Sequence, residues 1–139
     1  MLPAIEWKKD RIVMIDQRKL PEKEVYVECR DTIQVAEAIE KMIIRGAPAI
    51  GVAAAYGVAL GLLKMKKDTD VEKEFNRILP RLERTRPTAR NLFWALERMK
   101  KTFEENKALD ISQLKQRTLR SINKSGFGER AFFKTEIRS

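Results

Sequence analysis

The 139-residue chain contains no histidine and a single cysteine, Cys29. The first absence excludes histidine-based triads, histidine general bases and metal sites built on imidazole. The second excludes an intrachain disulfide and any zinc site needing several thiolates. Internal repeats and low-complexity linkers are also absent, so neither a solenoid nor a string of small modules is expected. Unbroken apolar runs are short. The longest uncharged helical stretch, Ala49 to Leu63, has fifteen residues. As a helix it would measure about 22 Å, against the roughly 30 Å of a bilayer's hydrocarbon core, so a buried core helix is expected rather than a membrane span. Glu6, Lys8, Lys9 and Asp10 interrupt the region where a signal peptide would need an apolar stretch, which makes a cytoplasmic protein the expectation.

What is present is 43% hydrophobic and 35% charged residues, a balance suited to one compact domain or a domain with a tail. A chain of this length removes about two thirds of its unfolded surface on folding and needs no staple. The formal charge is +9, which raises nucleic acid as a partner. Its distribution argues otherwise. Lys107 to Ser139 hold eight Lys or Arg against three Asp or Glu, so +5 of the excess lies in the last quarter. The body has the mixed, mildly basic surface of many anion-handling or simply well-solvated proteins.

Alternating apolar runs at Ile5 to Trp7 and Ile12 to Ile15 predict a hairpin with Lys-Asp at its tip, and Val25 to Cys29 a third strand. Asp31 or Thr32 should then cap a helix carrying Val35, Ala36, Ile39, Met42 and Ile43 on one face and stopping at Arg45-Gly46. The apolar helix led by Pro48 follows, ended by Lys64, Lys66 and Lys67. Phe75, Ile78, Leu79 and Leu82 predict a helix over Val71 to Arg84, with Pro80 casting doubt on its second half. Thr88 should cap another that faces inward through Leu92, Phe93, Leu96 and Met99. A last helix should begin near Asp110 and carry Ile111, Leu114, Leu119 and Ile122, with periodicity failing from Ser121 onward. The expected fold is α+β: a small antiparallel three-stranded sheet followed by a mainly helical bundle.

Two helix starts carry a chemical suggestion. Arg45-Gly46-Ala47-Pro48 leads into the apolar helix, and a helix start presents unpaired N–H groups with a partial positive charge. Gly46 allows close approach of a ligand, Arg45 adds a forked donor, and Ala47 offers an N–H with little bulk. Arg86-Pro87-Thr88 repeats the arrangement, placing a cation where the helix dipole disfavours one, a conflict that a shared anion would remove. The plainer alternatives stand beside this: Gly46 as a cap, Arg45 in water, Arg86 in water or paired with Glu83.

The run Ile43-Ile44-Arg45-Gly46-Ala47-Pro48-Ala49-Ile50-Gly51-Val52-Ala53-Ala54-Ala55-Tyr56-Gly57 resembles the signature of the methylthioribose-1-phosphate isomerase family. Thr85-Arg86-Pro87-Thr88-Ala89 through Asn91-Leu92-Phe93-Trp94-Ala95 resembles the family's second signature, and Asp16-Gln17-Arg18-Lys19-Leu20-Pro21 its early segment. The resemblance, over about residues 5 to 120, implies an aldose–ketose isomerase of methionine salvage. Such an enzyme converts 5-methylthioribose 1-phosphate to 5-methylthioribulose 1-phosphate without a metal or organic cofactor. It further implies a sugar-phosphate ligand held by Arg45, Gly46, Ala47 and Arg86, and a homodimer in the complete enzyme. No membrane or nucleic-acid partner is implied. Ribose-1,5-bisphosphate isomerases and the regulatory subunits of translation initiation factor two B belong to the wider family. A non-catalytic interaction module related to those subunits, or a ribose-1,5-bisphosphate isomerase relative, is therefore the alternative.

The family's proposed catalytic cysteine and aspartate lie in a Rossmann-like second domain that this sequence does not reach, so no catalytic residue is expected here. Cys29 matches no catalytic motif and reads as a buried thiol, Gly126-Phe127-Gly128 reads as a turn, and no motif singles out Asp16 or Asp31. Residues 121–139 depart from the family pattern. The expected division is a family domain over 1–120 and a basic tail over 121–139, with the reading frame cut or shifted near 120.

Overall fold

The computed structural model of the chain describes residues 5–124 and 134–135. Strand alternation builds its front. In β1 (Ile5–Lys8) and β2 (Arg11–Ile15), Ile5 pairs with Met14 and Trp7 with Ile12, and all four are buried on one face. Lys9 adopts φ +48° in the turn between them. The strand β3 (Tyr26–Cys29) pairs antiparallel with β2, setting Cys29 opposite Ile12 on the same buried face. The expected three-stranded antiparallel sheet is thus present. It gains a short parallel strand, β4 (Lys134–Thr135), on the free edge of β1, within the stretch read as a tail.

Behind the sheet runs α2 (Ala47–Leu63), with twelve of its seventeen residues buried. A helix apolar all round must be covered all round. It is wrapped by α1 (Thr32–Glu40), α3 (Val71–Glu83), α4 (Arg90–Asn106), α5 (Ile111–Lys124) and β1. The Trp7 and Tyr56 rings meet at 5.4 Å between sheet and helix. The buried Thr32 hydroxyl donates to the Gly57 carbonyl at 2.7 Å and ties α1 to α2. On the far side Phe75 of α3 stacks on Phe103 of α4, centroids 4.0 Å apart.

The structure corrects several expected boundaries. The first helix does not run to Arg45. It ends at Glu40, because Met42 takes a left-handed φ of +62°. Ile43 N–H then reaches back to the Ala38 carbonyl at 2.9 Å and Met42 N–H to that of Ile39 at 3.2 Å, the paired bonds of a Schellman end with methionine in the usual glycine position. Met42 thereby turns out to solvent, while Ile43 and Ile44 enter the core from a turn. Pro80 does not break α3, which continues to Glu83 with Leu79 and Leu82 anchored in the core. Thr88 is not the cap of α4. Ala89 N–H donates to the Arg86 carbonyl at 2.9 Å, so Pro87 and Thr88 form the middle of a turn and Ala89 takes the cap position. Phe93, assigned to the inner face by periodicity, is 55% exposed. Helical structure in α5 runs past Ser121 to Lys124, with Ile122 buried. Gly126-Phe127-Gly128 lies outside the described residues.

Candidate functional site

Three helices begin under an aspartate. The carboxylates of Asp31, Asp70 and Asp110 accept the N–H of Gln34, Lys73 and Gln113 at 2.8, 3.2 and 3.0 Å. The other two, α2 and α4, begin with no side-chain cap. These are the two helices preceded by Arg45-Gly46 and Arg86-Pro87. Their free first-turn N–H groups are what an anion would satisfy.

The two starts adjoin. A Cβ built on Gly51, in the second turn of α2, would lie 3.1 Å from the carbonyl oxygen of Asn91, the second residue of α4. The second turn of α2 therefore packs closely against the first turn of α4. Gly46 itself takes φ +98° and ψ +133°, with nothing within 4 Å of where a Cβ would sit. Here glycine answers to backbone conformation rather than to crowding.

Arg45, Gly46 and Ala47 are exposed, and Arg86 is half-buried. Neither arginine is in an ion pair among the described residues, so Glu83 is not the partner of Arg86. The Nη1 of Arg86 is buried and lacks a hydrogen-bond acceptor. A buried donor without an acceptor is costly, and an oxyanion at this position would supply one.

Sequence reasoning passed over the turn beside this loop. Asp16 is the one charged side chain among the described residues that is buried, at 2% exposure. Its Oδ1 accepts from Arg18 N–H and Nε at 3.0 Å each, and its Oδ2 from Arg18 Nη2 at 2.8 Å. The Arg18 guanidinium holds the Asp16 carboxyl below the usual aspartate range, against an opposing effect of burial. Next to it, Gln17 N–H donates to the Ile43 carbonyl at 2.8 Å, joining this turn to the segment that leads into Arg45. The early segment Asp16 to Pro21 was the available signal. Cys29 offers nothing to the site: it is buried at 1% exposure, and burial, helped by Asp31 and Glu37, pushes its thiol up to about 11.

The fold is that of a small α+β domain in which the two helices that begin without a side-chain cap pack together near their starts. The model of the initiation factor 2 subunit family matches residues 43–126, and the chain belongs to that family. It is 53% identical over 115 residues to methylthioribose-1-phosphate isomerase of Geobacter sulfurreducens, a match spanning 81% of this chain and 33% of that protein. To methylthioribose-1-phosphate isomerase 2 of Pseudothermotoga lettingae it is 54% identical over 101 residues, 73% of this chain and 29% of the relative. Among solved structures it resembles 5-methylthioribose 1-phosphate isomerase from Pyrococcus horikoshii OT3, with a TM-score of 0.85 and 37% identity over 94% of this chain and 36% of that one. It also resembles subunit delta of translation initiation factor eIF-2B from A. fulgidus, with a TM-score of 0.77 and 36% identity over 94% and 37% of the two chains. The chain spans about a third of the length of these relatives.

Proposed function

We propose that this chain supplies the phosphate-holding part of an aldose–ketose isomerase site. Its ligand is 5-methylthioribose 1-phosphate, contacted by Arg45, Gly46, Ala47 and Arg86. The observation that carries this reading is the buried, unpartnered Nη1 of Arg86, a residue of the turn that leads into α4, whose uncapped start packs against α2. A phosphate group there would accept from the Arg86 fork, from Arg45 and from the first-turn N–H groups of α2, without the desolvation cost of an unpaired donor. Conversion to 5-methylthioribulose 1-phosphate needs a proton moved between C1 and C2. None of the described residues is assigned to that step: Cys29 is buried and protonated, and Asp16 is occupied by Arg18. Alone, the chain is expected to bind without turnover. The same proposal places the protein in the cytoplasm and makes the complete enzyme a homodimer. No helix among the described residues is long and apolar enough to cross a membrane.

Calorimetric titration of 5-methylthioribose 1-phosphate into the chain tests the reading. Arg45→Ala and Arg86→Ala should each lose about 1.5 to 3 kcal/mol of binding, roughly 10- to 150-fold in affinity. Unchanged affinity in both variants would refute the assignment. A second reading, a non-catalytic interaction module, is favoured by the likeness to the initiation-factor subunit. It expects no sugar-phosphate binding, so the same titration separates the two.

A further inference from the structure

We propose that Asp16 is a positioning residue for the anion loop: clamped by Arg18, it holds Gln17 against the peptide that leads into Arg45 and Gly46. The consequence for ligand binding rests on the phosphate reading above; the positioning itself does not.

At the end of β2 the Asp16 N–H donates to the Val25 carbonyl at 2.7 Å, and Lys19 N–H donates to the Asp16 carbonyl at 3.1 Å. Together with the three bonds from Arg18 to the carboxylate, these fold residues 16–19 into one tight turn. The Gln17 N–H points out of that turn, to the Ile43 carbonyl. Ile43 is thus held twice, through its own N–H to Ala38 and through its carbonyl by Gln17, two residues ahead of Arg45. Beyond it Arg45 to Pro48 are exposed, and α2 begins without a side-chain cap. Among the described residues, the strut from the Asp16 turn is the backbone hydrogen bond nearest the loop on that side, next to the buried side chain of Ile44. Placing a carboxylate in the core is costly unless it is fully bonded, so the clamp cannot be loosened without moving the turn. Arg18, whose side chain is 46% exposed, lies over it from the solvent side.

Amide hydrogen exchange tests the positioning with no ligand present. In Asp16→Asn, exchange at Gln17 and at Ile43, whose amides are hydrogen-bonded in the strut, should quicken while that at Leu96 and Met99 of α4 stays as in the wild type. Should that variant fail to fold, Arg18→Gln removes the clamp from its exposed side and carries the same expectation. An even rise throughout the chain, or no change at Gln17 and Ile43, would overturn the proposal. In titrations with 5-methylthioribose 1-phosphate, Asp16→Asn should weaken binding by about tenfold, the loss of one well-placed charge-assisted bond. That loss should persist in an Arg86→Ala background and vanish in an Arg45→Ala background. Equal losses in every background would mark a merely structural residue and overturn the proposal. If the wild-type chain does not bind the sugar phosphate, the phosphate reading fails and the exchange result alone decides the positioning.

Discussion

Replacing Gly51 by alanine sets two effects of known sign against each other. In a helix interior, alanine is favoured over glycine by about 1 kcal/mol. The new Cβ, however, would sit 3.1 Å from the Asn91 carbonyl oxygen and 3.5 Å from its carbonyl carbon, both in the backbone of α4. A helix backbone cannot rotate out of the way as a side chain can, so α2 and α4 must part by a few tenths of an ångström. Overpacking of this kind costs about 1 to 3 kcal/mol. The net expectation is a loss of about 0 to 2 kcal/mol, or up to about 10 °C in Tm at about 3 to 5 °C per kcal/mol for a chain of this size. Gly57→Ala is the control. Its Cβ would meet neighbours at 3.1 to 3.2 Å, but these are the methyl groups of Leu82 and Val35, which can yield. Thermal unfolding followed by circular dichroism should therefore rank Gly51→Ala below Gly57→Ala, and only Gly51→Ala should also weaken sugar-phosphate binding. A Gly51→Ala variant stabilised by the full helix-propensity gain would refute the contact between the second turn of α2 and the start of α4.

Phe103→Ala should cost about 3 to 5 kcal/mol in denaturant unfolding, because the ring is buried and stacked on Phe75 at 4.0 Å; a loss below about 1 kcal/mol would contradict that packing. Cys29, raised to about 11, should not react with a disulfide reagent at pH 8 until the chain is unfolded, and native-state labelling at the rate of free cysteine would contradict its burial. The Asp16 carboxyl is depressed in the folded state, chiefly by its hydrogen bonds from Arg18. Its stabilising effect should therefore be full above about pH 4, the ordinary aspartate value, and fade as pH falls through the lower folded value. Urea midpoints measured between pH 7 and pH 3 should show this acid loss in the wild type and a smaller one in Asp16→Asn; parallel curves would contradict it.

The sequence made the elements legible wherever one period dominated. Alternation placed Ile5, Trp7, Ile12 and Met14 on one face, and the uncharged stretch after Pro48 marked the central helix. Boundaries failed where a local conformation overrode periodicity. Met42 and Ile43 fit a helical face, yet a left-handed residue ends α1 before them. Pro87 begins a turn that takes Thr88 out of the cap position. At the candidate site, residue types pointed to the two arginines and to the helix each one leads into, while the cap of α4 and the burial of Arg86 Nη1 depend on local and tertiary packing that spacing does not show. What no spacing rule reveals is that Gly51 lies against Asn91, or that Gln17 reaches Ile43, since both join segments distant in sequence. The burial of Asp16 was hidden for the same reason: an aspartate in a polar connection looks solvated until the sheet and the α1–α2 connection close around it.

In the proposed site the starts of α2 and α4 act together on one anion. Titrating 5-methylthioribose 1-phosphate into the ¹⁵N-labelled chain while following the amides of Ala47, Ala49, Arg90 and Asn91 reads both starts at once. All four should shift along a single binding curve, and Arg45→Ala and Arg86→Ala should each weaken the curve seen at both helix starts. Shifts confined to one helix start, or separate affinities at the two, would contradict it.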